Sequence, residues 1–240
     1  MRSLDRALAT EPQCLATYAY PAQTWDDFGG DCKKKLRHAL AEMQGIPGMT
    51  DLANDVYYGL RCAYCDGFIR SGGHIEHFRR RLHFANLTFT WDNLFISCDS
   101  ETHCGHYKDG SSQRTYNADE LIKPDGDDPH KFLFFSSTGR VEPRTGLSKD
   151  EETKAVETIR IFHLNERSLV SKRAKAVSGL VHEFTKMAEE YYGELMPSST
   201  ATAREEIEDL LNEFLDSERE RNLHAEYFSA VADVIESNKI

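Results

Sequence analysis

The spacing of apolar residues predicts helices in two parts of the chain. Leu36, Leu40 and Met43 recur at helical spacing, so residues 33–44 are expected to form an amphipathic helix that stops at the turn formers of residues 45–48. From Ser148 onward, apolar stripes at the same spacing predict that the chain is nearly all helical. Ser148 and Glu151 stand at capping-box spacing where this second helical part begins.

Shorter β-rich runs lie between the two helical parts. Residues 74–78 and 87–98 are rich in aromatic and β-branched side chains, which predicts short strands, and a short helix is expected to begin near residues 100–103. In residues 131–143, KFLFF and RVEP flank the turn SSTG, which predicts a hairpin. The patterns together predict an α+β fold in a mainly α-helical protein. Its three parts are an N-terminal helical segment (1–60), a central core with the following hairpin (61–145) and a helical C-terminal region (146–240).

Charge is distributed unevenly along the chain. The formal net charge is -11, and residues 147–240, with 12 basic and 20 acidic residues, contribute -8 of it. This acidic balance argues against a protein that coats nucleic acid non-specifically. Residues 61–83 hold five Arg against Asp66 and Glu76, so a nuclease with a local basic site is not excluded.

The sequence also limits the compartment and the thiol chemistry. It contains no run of about 18 apolar residues that would predict a membrane helix, and its N-terminus lacks the apolar region of a secretory signal. We therefore expect a cytoplasmic protein without a membrane partner, in which thiols stay reduced. Cys14 and Cys32 are accordingly expected to be plain buried or surface thiols.

Four further cysteines form two pairs within a His-rich stretch. Cys62 and Cys65 make a CxxC turn, and Cys98 and Cys104 form the second pair. Four thiolates can close a tetrahedral zinc site, which would pin loops that have little core of their own. Four ordinary buried thiols are the alternative, and a thioredoxin-like redox motif is disfavoured because no βαβ pattern surrounds the CxxC turn.

The residues between the cysteine pairs suit phosphodiester hydrolysis. That reaction needs a base to deprotonate water, a hard cation to stabilise charge on the phosphate, and a group that orients the base. His77 suits the first role, Glu76 with His106 the second, and Asn93 the third. Taken singly, each residue also fits a structural role, since a His in a strand and an Asn in a turn are common.

Four ordered blocks of the sequence resemble a known family. CAYCDGF, HIEHF, TWDNLFISC and HCGHYKDG are similar to the HNH nucleases, and specifically to the zinc-containing PtuB-like proteins of Septu and retron-associated phage defence. The resemblance covers about residues 10–190. It implies a ββα-metal finger, in which two strands and a helix hold one divalent cation, together with a structural zinc knuckle formed by the four cysteines.

The same resemblance assigns roles to single residues. His77 takes the place of the general base, Asn93 that of the residue that orients the base, and Glu76 that of the acidic ligand for a catalytic Mg²⁺ or Mn²⁺ ion. The last metal ligand stays open, because many family members carry His or Asn directly after the final Cys, whereas Gly105 stands there in this chain. His106 is the favoured ligand. The alternatives are His103, His74 and Asp109.

Basic residues close to the expected base are candidate phosphate contacts. Arg79, Arg80 and Arg81 directly follow HIEHF, and Lys108 lies in the HCGHYKDG block. Of these we expect Arg79, Arg80 and Lys108 to contact a phosphate of the substrate. A solvated charged face is the alternative interpretation of the Arg run.

These features predict a metal-dependent endonuclease that acts as the effector of an antiviral system. By resemblance, its protein partner is a PtuA-like ATPase, with a retron reverse transcriptase and its RNA–DNA hybrid as a further candidate. The nucleic acid substrate stays open between invading DNA and a host RNA such as tRNA. The competing class is a zinc-stabilised binding or scaffold module without catalysis, which needs the four Cys but not His77, Glu76 or Asn93.

Overall fold

A computed structural model describes residues 1–46, 51, 53–54, 59–70, 72–110, 115–195 and 201–239. The chain divides into two compact units. Unit 1 contains Met1–Leu133 and Pro143–Glu166, and unit 2 contains Phe134–Glu142 and Arg167–Ile240. The architecture is mixed and helix-rich, with two small sheets. The three-part division of the sequence stays a prediction, since it describes chain segments whereas the two units are grouped by compactness.

The helices and strands follow one another in a fixed order along the chain. The elements are α1 (Gly30–Gln44), β1 (His74–His77), β2 (Leu94–Ser97), α2 (Cys104–Asp109), α3 (Pro129–Phe132), β3 (Leu133–Phe135), β4 (Val141–Pro143), α4 (Lys149–Ile161), α5 (Arg167–Leu195), α6 (Ala201–Asn222) and α7 (Phe228–Asn238). Strand β1 pairs with β2, and β3 pairs with β4. Among the residues described, no helix combines the length and the apolar content needed to cross a membrane.

Most of the expected elements are confirmed, and the exceptions concern where an element begins or ends. Helix α1, the hairpin of β3 and β4 and the capping box of Ser148 and Glu151 lie where the sequence predicts them. Within residues 87–98, only Leu94–Ser97 is a strand, because Ala85–Leu87 and Trp91–Asn93 form 3-10 turns. The short helix begins at Cys104 instead of residues 100–103. Residues 47 and 48 of the predicted helix stop lie outside the described part of the chain.

Strands β1 and β2 form a two-stranded sheet in unit 1. The two strands are antiparallel, and the register places His74 opposite Ser97 and His77 opposite Leu94. Adjacent side chains of a regular strand point to opposite faces. Glu76 and His77 can therefore share one site only where the strand bends or ends. Strand β1 ends at His77, which meets this requirement.

Gln44, the last residue of α1, connects the helix to strand β2 and to Arg61. Its side chain is fully buried. The amide donates to the Arg61 carbonyl at 2.9 Å and to the Ile96 carbonyl at 2.8 Å, and its oxygen accepts from Ile96 N at 2.7 Å. Buried polar groups are stable only when they are hydrogen-bonded, so these three bonds fix α1 against the hairpin.

Unit 2 is a three-helix arrangement that closes on the tip of the β3–β4 hairpin. Helices α5, α6 and α7 pack against one another through buried aliphatic side chains such as Leu211 and Ile235. The Asp233 carboxylate accepts a hydrogen bond from Phe135 N at 2.9 Å, which joins α7 to β3. Gly139 has φ +82°, and a Cβ there would lie 2.1 Å from the Val170 carbonyl oxygen, so only glycine fits the turn of the hairpin.

Replacing Gln44 by Leu should lower the free energy of unfolding by on the order of 3 kcal/mol, because Ile96 N and the Arg61 carbonyl lose a buried partner while the side-chain volume is kept. Glu42→Leu makes the same apolar replacement at an exposed position of α1 and should change stability by less than about 0.5 kcal/mol. Urea unfolding followed by circular dichroism measures both values. Equal effects of the two variants would contradict the role of Gln44.

Candidate functional site

Four thiols meet at one point in unit 1. The sulfur atoms of Cys62, Cys65, Cys98 and Cys104 all lie within 4.8 Å of one another. A zinc ion bound at about 2.3 Å from each sulfur would separate the sulfurs by roughly 3.8 Å, so the cluster suits a tetrahedral ion. The four residues could therefore hold a metal such as zinc, and the predicted pairing of the two cysteine pairs in space is confirmed.

The first cysteine pair lies on a tight turn that its own sequence produces. Asp66 N donates to the Cys62 carbonyl at 3.2 Å, and Cys62 N donates to the Gly67 carbonyl at 3.0 Å. Asp66 has φ +63°, which a short polar residue tolerates. Its buried carboxylate is 3.1 Å from the guanidinium of Arg61, so the turn is held by an ion pair as well as by backbone bonds.

The second pair connects the end of β2 to the start of α2. Cys98 N donates to the sulfur of Cys62 at 3.4 Å. Cys104 N donates to the Phe162 carbonyl at 2.8 Å, which joins α2 to the end of α4. The imidazole of His103 lies 3.1 Å from the Cys104 sulfur. His103 therefore packs against the thiol cluster and is not among the ligand atoms that gather around His106.

His77 has the geometry of a proton acceptor. Its Nε2 lies 2.9 Å from the Thr88 carbonyl oxygen. Because a carbonyl only accepts, Nε2 carries the hydrogen and Nδ1 keeps its lone pair. Burial lowers the pKa of His77 to about 4, although the hydrogen bond to Thr88 and the charge of Glu76 oppose this change. The ring is therefore neutral near neutral pH, and Trp25 packs edge-on against it with ring centroids 4.4 Å apart.

Asn93 supports the base through the backbone. Its side-chain oxygen accepts from Arg79 N at 2.7 Å, and its amide donates to the carbonyls of Arg79 at 3.1 Å and Leu87 at 3.2 Å. Among the described contacts the partner of the His77 ring is Thr88, so Asn93 does not hold the imidazole directly. Asn93 instead fixes the segment after β1 to the segment that carries Thr88, and in this way positions both sides of the ring.

Glu76 is buried and forms an ion pair inside the protein. Its Oε1 lies 2.7 Å from Nζ of Lys108, and its Oε2 lies 3.8 Å from Nε2 of His74. Burial alone would raise the pKa of Glu76, but the charge of Lys108 and the contact with His74 leave that pKa below its usual value. The carboxylate is thus ionised, and its charge is already compensated by a protein cation.

Lys108 is placed differently from the expectation. Its side chain is fully buried, and Nζ contacts Glu76, the Asp109 carboxylate at 2.8 Å and the His77 carbonyl at 2.8 Å. Burial alone would lower the pKa of Lys108, but the charges of Glu76 and Asp109 raise it above its usual value. Burial and these two carboxylates disfavour the predicted phosphate contact of Lys108, which stays a prediction.

The three consecutive arginines differ in their exposure to solvent. Arg80 is buried, pairs with Asp109 at 3.0 Å and donates to the Lys108 carbonyl, so its guanidinium is engaged inside the protein and its phosphate contact stays a prediction. Arg79 is half-buried and pairs with Asp119 at 2.5 Å. Arg81 is exposed, lies over the Trp25 ring at 5.7 Å and lines the cavity beside His77. Arg81, the last residue of the run, is the cation that faces this cavity.

One cavity of about 320 Å³ brings together three of the four predicted catalytic residues. His77, Glu76, His106 and Arg81 line it. The remaining lining residues include Trp25, His74, Gly105 and Asp109. Sequence reasoning missed Trp25 and Thr88, since aromatic and backbone contacts across the fold leave no spacing signal in the chain.

A second group of ligand atoms lies at the same cavity. His74, Asp99 and His106 each bring one ligand atom to within 4.8 Å of the others. The rings of His74 and His106 stack with centroids 3.8 Å apart. Asp99 was not expected from the sequence, because it follows β2 without any motif. Asp109, the remaining alternative ligand, is engaged by Arg80 and Lys108.

The two N-terminal cysteines are not free thiols. Cys14 and Cys32 form a disulfide with a Cα–Cα distance of 5.9 Å, so the expectation of plain thiols is wrong. The bond joins the 3-10 turn Gln13–Thr17 to α1, and the segment between the two cysteines carries Trp25. Disulfides are typical of oxidising compartments, so this pairing does not follow from the reducing compartment that the sequence predicts.

Comparison with known proteins supports the motif resemblance. No protein-family model matches the chain. The chain is 29% identical over 146 residues to the Septu protein PtuB of Bacillus mycoides (strain KBAB4), a match that covers 50% of this chain and 48% of that protein. The chain thus spans about half the length of the curated relative that it matches. The predicted similarity to PtuB-like proteins is confirmed at this level of sequence identity.

The thiol cluster should retain one zinc equivalent per purified chain, measured by plasma mass spectrometry. Cys65→Ser removes one of four ligands and should lose most of this zinc, with a large loss of thermal stability, because a structural zinc ion contributes folding free energy. The double variant Cys14→Ser, Cys32→Ser alters the other two cysteines and should keep its zinc. Zinc retained in Cys65→Ser would contradict the assignment of the cluster.

Proposed function

We propose that the protein is a metal-dependent endonuclease of the HNH type, with a ββα-metal finger formed by β1, β2 and α2. The observation that carries this proposal is the tautomer of His77 and its position at the cavity. The side chain is a neutral imidazole whose Nε2 is held by Thr88, and it lines a cavity together with an exposed Arg and a group of metal-ligand side chains. A neutral imidazole in a fixed tautomer is the form that accepts a proton from water.

In this proposal the four cysteines hold a structural zinc ion. Their sulfur atoms lie within 4.8 Å of one another, a separation that suits one tetrahedral ion. Among the described residues, His103 and Ser97 bring a side-chain atom to hydrogen-bonding distance of these sulfurs. The ion would fasten the 62–65 turn to β2 and α2. Strand β2 pairs with β1, which carries His74 and His77, and α2 carries His106. Zinc here has a structural role, because four protein ligands leave no open position.

Each remaining residue of the site has a separate task. His77 accepts the proton of the attacking water at Nδ1, and Thr88 and Asn93 keep its ring and the adjoining segment in place. Arg81 binds a phosphate of the substrate at the cavity edge. A divalent cation, Mg²⁺ or Mn²⁺ by resemblance, would stabilise negative charge on the phosphate when bound at the Glu76 and His106 side of the cavity.

The similarity to a Septu protein supports a proposal for the biological role. A protein named Septu protein PtuB shares 29% identity with this chain, which supports a role as the effector of an anti-phage system. We infer a PtuA-like ATPase as the partner, and a retron reverse transcriptase with its RNA–DNA hybrid as a second candidate, because the motifs also resemble retron-associated members. The acidic helices α5–α7 suit a protein-docking surface better than a nucleic-acid surface.

A non-catalytic, zinc-stabilised binding or scaffold module is the second candidate function. One observation favours it: the Glu76 carboxylate, which the resemblance assigns to the catalytic ion, is already neutralised by the buried Lys108. Such a module needs the thiol cluster and leaves His77 without a task. The two functions therefore separate on a variant of His77.

His77→Ala should lower cleavage of nucleic acid by about 100- to 10,000-fold, because the general base is lost. The assay uses the purified chain with its ATPase partner, labelled duplex DNA and labelled tRNA in parallel, and zinc content is measured on the same sample. His83→Ala changes an exposed His of the neighbouring segment and serves as the control with unchanged cleavage.

Cleavage by His77→Ala at the wild-type rate, with zinc retained, would overturn the endonuclease and leave the binding module. Wild-type cleavage of tRNA alone would exclude the DNA substrate, and cleavage of DNA alone would exclude the RNA substrate.

Arg81→Ala should weaken binding of nucleic acid and lower the slope of log affinity against log salt by about 1, because one phosphate contact is lost. Arg70→Ala removes an exposed Arg outside the cavity and provides the matched control. Fluorescence anisotropy over a series of salt concentrations gives both slopes. An unchanged slope for Arg81→Ala would remove Arg81 from the substrate contacts.

A further inference from the structure

The second metal-ligand group has an unexpected composition. It contains two imidazoles and one carboxylate, His74 at the start of β1, Asp99 after β2 and His106 in α2, with ligand atoms within 4.8 Å of one another. Each residue comes from a different element, so the group depends on the hairpin and α2 being held together. The thiol cluster, which contains Cys98 and Cys104, lies beside two of these attachment points.

Gly105 explains why a residue of β1 can take part. A Cβ at this position would lie 2.8 Å from His74 Nε2 and 2.8 Å from Glu76 Oε2. Any side chain directly after Cys104 would therefore displace both groups. The space next to α2 that a ligand at position 105 would need is occupied by an imidazole of the neighbouring strand.

Glu76 orients this imidazole. Its Oε1 is engaged by Lys108 at 2.7 Å, and its Oε2 lies 3.8 Å from His74 Nε2. The opposite ring nitrogen, Nδ1, lies 3.7 Å from the Asp99 carboxylate and is buried without a hydrogen-bond partner. Metal-ligating imidazoles in proteins commonly have a carboxylate beside the ring nitrogen that does not bind the ion, and Glu76 lies in such a place beside His74.

We propose that His74, Asp99 and His106 bind one divalent transition-metal ion, and that Glu76 is a positioning residue for His74 instead of a ligand. Two imidazoles with one carboxylate favour ions such as Mn²⁺, Co²⁺, Ni²⁺ or Zn²⁺. Mg²⁺ prefers oxygen ligands and keeps most of its water, so it binds this set weakly. The inference rests on the proposed function in one respect, which is that the ion serves the cavity lined by His77.

The test is Mn²⁺ binding to the zinc-loaded full chain without nucleic acid, followed by electron paramagnetic resonance. Mn²⁺ is a hard ion that does not displace zinc from four thiolates. The wild type should bind one Mn²⁺ whose spin couples to two imidazole nitrogens. An excess of Mg²⁺ of about tenfold should not displace this Mn²⁺.

The variants separate ligands from the positioning residue. His74→Ala and His106→Ala should each lose one nitrogen coupling, and Asp99→Asn should weaken Mn²⁺ binding while both couplings stay. Glu76→Gln should weaken binding by about 10- to 100-fold, as the loss of a partner of a metal-bound imidazole does, and should also keep both couplings. His83→Ala is the control with unchanged binding.

Two results would overturn the proposal. One is Mn²⁺ bound without nitrogen coupling in the wild type, and the other is unchanged binding in Asp99→Asn, whose exposed side chain makes misfolding an unsuitable explanation. The binding assay contains no substrate, so failure of the proposed endonuclease in the cleavage assay leaves this result unaffected. Conversely, a failed Mn²⁺ site with active, His77-dependent cleavage would reject the ligand set alone.

Discussion

The convergence of four thiols is the constraint on which the site depends. Strands β1 and β2 have four residues each and α2 has six, and isolated hairpins and helices of such length are marginally stable in water. The cluster joins the 62–65 turn to the end of β2 and the start of α2, so three weak elements form one body. Gln44 adds α1 to the same body through three buried hydrogen bonds.

Buried charge gives the cavity its second property. Glu76, Lys108, Asp109 and Arg80 form a continuous series of ion pairs beneath it. Ion pairs of this kind are costly to desolvate and very costly to break singly, so they hold their side chains in fixed positions. The series consumes two of the cations that lie close to the base in sequence and leaves Arg81 facing the cavity. Two cations beside His77 are thus engaged inside the protein, which is consistent with the proposed dependence on a partner for binding nucleic acid.

Local patterns were sufficient for some features and insufficient for others. The α1 stripe of Leu36, Leu40 and Met43 and the spacing of the two cysteine pairs predicted elements correctly, because each depends on neighbours along the chain. The burial of Lys108, the position of Asp99 beside His74 and His106, and the disulfide of Cys14 with Cys32 depend on which segments meet in space. The same limit applies to residues 87–93, where aromatic content favoured a strand and the packing produced 3-10 turns.

The central claim is that one body holds a structural ion and, beside His77, a second ion at a separate ligand group. Anomalous diffraction from crystals of the zinc-loaded chain soaked in Mn²⁺, recorded at the absorption edges of both metals, tests it most directly. The account predicts a zinc peak among the four cysteine sulfurs and a manganese peak in contact with His74, Asp99 and His106. A manganese peak on Glu76 without His74, or no zinc peak at the thiols, would contradict it.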